Sequence, residues 1–376
     1  PVPAGDGSGR TMNRRNNMKR IAIPLLLSLS LLLSGCQNTD TGSNGGDSAS
    51  TGAESVAVID TAALFSDRDL DGSYDESAAV HIQLEGETAV CDSDAVSIDG
   101  SRITLLDEGT YLVSGALTDG QIVVDAGDTD KVQIVLASAS LTCADSAAIY
   151  SKSADKVFLT LAEGTENTLT NGGSYTAIDK NNIDSVVFSK TDLTLNGSGS
   201  LTIDAQAGHG VVSKDELTIN GGTFTVDSVD DCLHSGGALA VTGGTFTLSS
   251  GDDAIHSDDA VTIRAGEFSI PYCYEGVEGL SVTVEGAAFD VTAHDDGFNA
   301  AGGADSSGFG GRDEPFAASE DSFITVNGGT ITVVSDGDCL DSNGDLTVNG
   351  GTLDLTCNGN GNTALDCSGS YTNNGG

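Results

Sequence analysis

Tryptophan is absent from the 376 residues, proline occurs 5 times, and 15 basic side chains face 56 acidic ones. Each shortage excludes something. With no tryptophan and 7 tyrosines, an aromatic platform for neutral sugars has little to build on. A formal net charge of −41 excludes nucleic acid and anionic lipid as direct partners and favours cations. The 8 cysteines include no CxxC pair, which removes the common zinc and redox motifs. Neither a nucleophile elbow nor a phosphate-binding loop occurs. Glycine is plentiful at 50, yet valine, isoleucine, leucine and phenylalanine recur between the glycines, so the chain reads as folded.

The N-terminal segment reads as an address. Residues 1–17 look like upstream read-through, because Met18 opens "MKRIAIPLLLSLSLLLSGCQ" with Lys19 and Arg20 ahead of an apolar run. That run is short for a membrane span and suits a signal peptide over 18–36. Its "LSGC" (33–36) is similar to the bacterial lipobox, in which the cysteine is lipidated, so Cys36 is the expected anchor. This implies an extracellular protein tied to the bacterial membrane by lipid. Losing the first 35 residues removes five basic and one acidic side chain, leaving −45. Residues 37–55 are small and polar, a flexible linker. A β-rich N-terminal region over 56–130 follows.

From residue 131 onward one phrase keeps returning. "LTINGGTFTVDSVDDCLHSGG" (217–237) recurs as "LAVTGGTFTLSSGDDAIHSDD" (239–259), "VTIRAGEFSIPYCYEGVEG" (261–279), "VTVEGAAFDVTAHDDGFNAAGG" (282–303), "ITVNGGTITVVSDGDCLDSNG" (324–344) and "LTVNGGTLDLTCNGNGNTALDCSG" (346–369). A weaker copy is "LTLNGSGSLTIDAQAGHGVVSK" (193–214). The period is 21–24 residues, and each copy alternates apolar and polar residues between Gly-Gly or Asn-Gly turns. One copy cannot bury its own apolar face, so copies must stack, and with no helical pattern between strands the stack is a parallel β-solenoid. Even division of 131–370 by this period expects about eleven turns and a rod of roughly 50 Å.

Stacking turns the copies into columns. One column reads Asp231, Asp253, Glu275, Asp296, Asp338, preceded by Asp230, Asp252, Tyr274, Asp295 and Gly337. A small slot (Cys232, Ala254, Gly276, Gly297, Cys339) and an apolar plug (Leu233, Ile255, Val277, Phe298, Leu340) follow. A polar position closes each copy: His234, His256, Glu278, Asn299, Asp341 and then Asp366. Cys232 and Cys339, several turns apart, are too distant to bridge and read as small core residues. A second column, Asn196, Asn220, Thr242, Arg264, Glu285, Asn327 and Asn349, suggests stacked polar side chains, with an ion pair between Arg264 and Glu285.

Carboxylates one rung apart, about 5 Å, repel by roughly 1 kcal/mol in water and ~3–4 kcal/mol at an effective dielectric near 20. A line of them makes sense if a multivalent cation lies between rungs. Several oxygen ligands in a tolerant geometry point to calcium; the alternative is a solvated acidic face. His234 and His256 could ligate, contact substrate, or be solvated polar positions, and the varied occupants of their slot favour the last. "DRDLDGSYDES" (67–77) mimics the opening of an EF-hand loop but has Ala78 where glutamate would stand, and reads better as a turn.

These phrases, with "YEGVEG" (274–279), "DDGFNAAGG" (295–303), "GTYLVSG" (109–115), "LTDGQIVVDA" (117–126) and "VFSKTDLTLNGSGSL" (187–201), resemble a family of bacterial surface carbohydrate-binding domains, which implies an all-β, right-handed parallel β-helix similar to pectate lyases. The resemblance spans about 58–376. It implies bound Ca2+ and a plant cell-wall polysaccharide partner, either pectin-like polyuronate or cellulose. The metal positions it carries over are Asp230, Asp231, Asp252, Asp253, Glu275, Glu278, Asp295, Asp296, Asp338 and Asp341. His234, His256, Tyr272, Tyr274 and Asn299 are the candidate sugar contacts. Members of the family continue past "ALDCSGS", so the 131–376 domain is expected to be cut short; a monomer is expected.

A lyase on this fold would need a basic residue beside a calcium-neutralised carboxylate. Lys214, Arg264 and Arg312 are the candidates, but Lys214 lies two units before the densest acids, Arg264 is better explained by the ion pair with Glu285, and Arg312, in the Gly-rich insertion 302–322, has no second basic partner. So many aspartate pairs at repeat spacing favour metal ligation over acid–base work, and no catalytic residue is assigned. A calcium-stiffened stalk without sugar binding is the structural alternative.

Overall fold

The computed structural model describes residues 64–301 and 321–376. The signal segment, Cys36, the linker and Arg312 lie outside the described residues. One turn of helix, Asp67–Leu70, is the only helix among the described residues; everything else regular is strand. The strands form a parallel β-solenoid of about ten turns.

Three ladders make its three faces. On the first, Leu201, Phe224, Phe246, Phe268, Phe289, Ile331 and Leu353 follow one another in register. Their alternation with exposed Thr225, Thr247 and Ser269 is what a strand buried on one side dictates. The phenylalanine rings stack inside with centroids 5.2, 4.5 and 4.5 Å apart. The second face carries the expected plugs, Leu233, Ile255, Val277, Phe298 and Leu340, and extends them with Val211 before and Leu365 after. On the third, Leu193, Leu217, Leu239, Val261, Val282, Ile324 and Leu346 align. Inward side chains of the three faces form one continuous core.

Two expectations about the repeat change. Parallel pairing starts upstream of residue 131, with Val80–Gly86 beside Gly109–Leu117 and Arg102–Leu105 beside Gln121–Asp125. The region before 131 therefore already belongs to the stack. Conversely, the turns from Leu141 to Leu169 and from Leu169 to Ile203 exceed the regular period, so fewer turns than eleven fit downstream. Part of the extra length, 172–184, folds over the outside of the second face. There Tyr175, Ile178 and Ile183 cover Tyr150, Phe188 and Val212, and the Tyr150 hydroxyl reaches Asp179 at 2.7 Å.

The polar column is real where amides and hydroxyls occupy it: Thr242 Oγ1 donates to Asn220 at 2.7 Å, and Asn349 Nδ2 to Asn327 at 2.7 Å. The expected Arg264–Glu285 ion pair is absent. The Arg264 guanidinium lies instead 5.9 Å from the centre of the Phe65 ring.

The calcium-loop mimic is a strap. Ser66 and Asp69 form a reciprocal capping box on the Asp67–Leu70 turn. Asp71 and Asp75 accept the amides of Ser73 and Ser77. Asp69 is buried, 2.7 Å from Lys156 Nζ and 2.6 Å from the Thr194 hydroxyl. Asp69 thus ties the strap to the third face, while Asp71 and Asp75 shape its own turns.

Candidate functional site

The carboxylates gather at the corner between the first and second faces. Each turn ends its phenylalanine strand, passes the acidic pair, and enters the plug strand, so equivalent residues fall one rung apart. The column forms as the repeat predicted and does something periodicity alone did not reveal. Asp231 Oδ1 accepts the amide of Asp253 at 3.0 Å, Asp253 Oδ1 that of Glu275 at 3.3 Å, and Asp296 Oδ1 that of Asp338 at 2.6 Å. Asp338 likewise caps the amide of Thr363. Carboxylates thus bond the corner of the solenoid together, each satisfying an amide that has no ladder partner. The first rung is His209, whose Nδ1 lies 3.1 Å from the Asp231 amide. His209 was not singled out from sequence, although aligning "AGHGVVSK" (207–214) of the weak copy with "VDDCLHSG" (229–236) places it in this column.

The polar slots also align: His234, His256, Glu278, Asn299, Asp341 and Asp366 are consecutive partners. Their expected solvation is wrong at the upstream rungs. His256 is fully buried, with Nδ1 3.1 Å from Asp253 Oδ2 and 2.9 Å from Glu278 Oε2, and Nε2 3.3 Å from Asp258. One Nδ1 proton cannot serve two carboxylates, and Glu278 Oε2 is left without a satisfied hydrogen bond. His234 stacks on His256, ring centres 4.7 Å apart, and reaches Asp231 Oδ2 at 2.8 Å. Asn299 is buried and donates to Glu275 at 2.9 Å. These three side chains organise carboxylates in this structure, and of them only His234 retains partial exposure. Tyr272 is exposed, its ring edge-on to His294 at 4.8 Å, while Tyr274 is half-buried beside the acids.

The column divides by chemistry. Upstream, imidazoles answer the carboxylates: against the upward pull of burial, hydrogen bonds from His209 and His234 hold Asp231 well below the usual carboxylate range. Burial would lower His256, but Asp253 and Glu278 push it up to about 12. Downstream, no such partner exists. Among the described residues, Glu275, Asp295, Asp296, Asp338 and Asp341 form no ion pair with lysine, arginine or histidine. Burial, then Asp253 and Glu278, raise Glu275 well above its ordinary value. Asp253 is likewise raised, by burial above all. Burial with Asp295 and Asp341 nearby lifts Asp296 to about 8, and burial with Asp338 and Asp366 lifts Asp341 to about 6. Oxygens of Asp338, Asp341 and Asp366 lie within 4.8 Å of one another. An all-oxygen donor set with surplus negative charge fits a hard divalent cation such as calcium.

The raised values have a pH consequence. A carboxylate that titrates higher in the folded chain binds more protons folded than unfolded, so its contribution to stability falls as pH rises from about 4 to its folded value. With divalent cations stripped, thermal midpoints should therefore decline between about pH 4 and pH 8, and calcium should remove most of the decline. Midpoints that climb through this window without cation would contradict the assignment of Asp296 and Asp341.

The buried thiols Cys232, Cys273 and Cys339 fill small core slots, and the described cysteines are all free.

Comparisons agree with the geometry. A family model for "carbohydrate-binding domain-containing protein" matches residues 99–361. A carbohydrate-binding domain-containing protein of Acetivibrio thermocellus is 36% identical over 135 residues, 35% of this chain and 47% of the relative. The matched part is thus about half the length of that relative. Among solved structures, the polysaccharide lyase-like protein from C. thermocellum, as a gadolinium derivative, superposes with a TM-score of 0.50 at 25% identity, over 78% of this chain and 96% of that one.

Proposed function

The chain belongs to the family of carbohydrate-binding domain-containing proteins, and on that premise we propose that it recognises an acidic, pectin-like polysaccharide through calcium held by its stacked carboxylates. The observation that carries the proposal is the downstream half of the acid column. Glu275, Asp295, Asp296, Asp338 and Asp341 concentrate negative charge and, among the described residues, form no ion pair with a cationic side chain. A polyuronate would be repelled by such a surface alone. Calcium with open coordination positions reverses the local sign and bridges protein carboxylates to uronate carboxylates. The similar structure carries gadolinium, which like calcium is a hard cation favouring oxygen ligands. Asp230, Asp252, Asp253 and Glu278 supply the upstream flank, while Asp231 is taken up by His209 and His234 and Asp253 shares its charge with His256. Tyr272, half exposed, offers a sugar face at the rim. Lipidation at Cys36 would hold the domain at the bacterial surface, where such polymers are met.

A lyase is the second reading, because the similar structure is of a lyase-like protein. Two of its three candidate bases are engaged elsewhere: Arg264 lies 5.9 Å from the Phe65 ring and Lys214 5.7 Å from the Phe188 ring. One experiment separates the readings. The chain is passed over immobilised polygalacturonate with calcium and then with chelator, while absorbance of unsaturated product is followed. Retention that disappears on chelation, without new absorbance, is expected. Rising absorbance would make the protein a lyase, and failure to be retained in either condition would leave a calcium-stiffened stalk.

A further inference from the structure

The histidines upstream of the acid column are unused by calcium, which prefers oxygen, and their arrangement suits a different metal. His209 and His234 approach the same carboxylate oxygen, Asp231 Oδ2, with their Nδ1 atoms at 3.1 and 2.8 Å. The three ligand atoms lie within 4.8 Å of one another, and the two rings are 5.1 Å apart between centres. Asp231 is buried, while His209 and His234 keep 18% and 13% side-chain exposure, enough for an ion to enter from one side. We propose that His209, His234 and Asp231 form a site for a borderline divalent transition metal of the zinc class, separate from the calcium positions downstream.

Three physical points support it. Two imidazole nitrogens and one carboxylate oxygen with a side open to solvent are the donor set of three-ligand zinc sites. In a tetrahedral site with ligands near 2.0–2.1 Å, donor atoms stand roughly 3.3 Å apart, and the two nitrogen–oxygen distances here, 3.1 and 2.8 Å, differ from that by about half an ångström or less. Proton placement alone also leaves a conflict at His209. Its Nδ1 lies 3.1 Å from both the Asp231 amide nitrogen and Asp231 Oδ2. A proton on Nδ1 opposes the amide, and a bare lone pair opposes the carboxylate. A cation on Oδ2 removes the second opposition, and a small ring rotation turns Nδ1 toward it. Asp231 Oδ1 keeps its bond to the Asp253 amide throughout, so binding need not open the column. The neighbouring ring of His256 stacks on His234 and fixes its plane.

The test uses the whole chain, stripped of metal and held at neutral pH with excess Ca2+ to fill the oxygen sites. Calorimetric titration with Zn2+ should show one equivalent bound that millimolar Ca2+ does not displace, and Co2+ should give the visible absorption of a low-coordinate N/O site. His234→Ala should weaken Zn2+ binding more than about 100-fold, above what loss of an outer-shell partner costs. His209→Gln keeps an acceptor for the Asp231 amide and should weaken it comparably, with a thermal midpoint near the parent's showing that the fold is intact. Retention of Ca2+-dependent polygalacturonate binding by His209→Gln would separate this site from the calcium reading. The inference is overturned if Zn2+ shows no stoichiometric step above Ca2+, or if both variants bind Zn2+ as the parent does; the histidines would then be hydrogen-bonding partners of Asp231 only.

Discussion

Asp296→Asn combined with Asp341→Asn is expected to abolish calcium-dependent retention on polygalacturonate while making the cation-free protein more stable. The opposed signs give the prediction its force. Both groups sit among like charges, with carboxyls lifted to about 8 and about 6 by burial and acidic neighbours. Asparagine keeps the oxygen through which Asp296 bonds the amide of Asp338, so the rung should survive. What is lost is charge. At about 5 Å and an effective dielectric near 20, each unit removed weakens attraction for a divalent cation by up to ~7 kcal/mol, so a loss of roughly 100-fold or more in affinity per charge is expected. Calorimetry with Ca2+ and retention on the polymer should fall together, whereas the thermal midpoint in chelator at pH 8 should rise. Undiminished glycan retention in a variant that no longer binds Ca2+ would remove calcium from the recognition step. A fall in the chelator midpoint would mean that these carboxylates support the fold without metal.

The second large effect lies far from the acids. Lys156→Met leaves Asp69 as an unpaired charge beneath the strap, and breaking a buried pair from one side typically costs ~3–5 kcal/mol. The two side chains are 10% and 3% exposed and 2.7 Å apart, so solvent cannot take over the lysine's role. Thr194 and the Ser66 cap remain bonded to Asp69 but supply no positive charge. Urea denaturation should show the loss, and adding Asp69→Leu should recover much of it by removing the orphaned charge. A single variant as stable as the parent would show that the strap contributes little to the solenoid. Because Asn220 also donates to the Leu70 carbonyl at 2.9 Å, strap release should expose the third face.

Much of the solenoid could be read from side-chain periodicity. Alternation in "TFTV" and "TFTL" assigned inward phenylalanines, and equal spacing placed Leu233, Ile255, Val277, Phe298 and Leu340 on consecutive rungs, as observed. The columns of Asp231 to Asp338 and His234 to Asp366 followed from the same arithmetic. It failed where turn length departs from the period. Nothing in the alternation before residue 131 announces that Val80–Gly86 is already a rung. The segment 172–184 has no period at all, and its apolar residues find cover outside the core.

The sequence by itself determined the stacked architecture, because a strand with one apolar side and a fixed repeat can bury that side only against its own copies. It also determined which acids share a column, since position within the repeat is position within the rung. Only the tertiary structure decided the state of those acids. Whether a carboxylate meets an amide, an imidazole or another carboxylate depends on distances across rungs and on what covers the corner. Thus His256 is buried between Asp253 and Glu278, whereas Asp341, in the same column, has Asp338 and Asp366 as charged neighbours among the described residues. The strap is the clearest case. Asp69 and Lys156 are 87 positions apart, no repeat relates them, and only the folded chain brings them into contact.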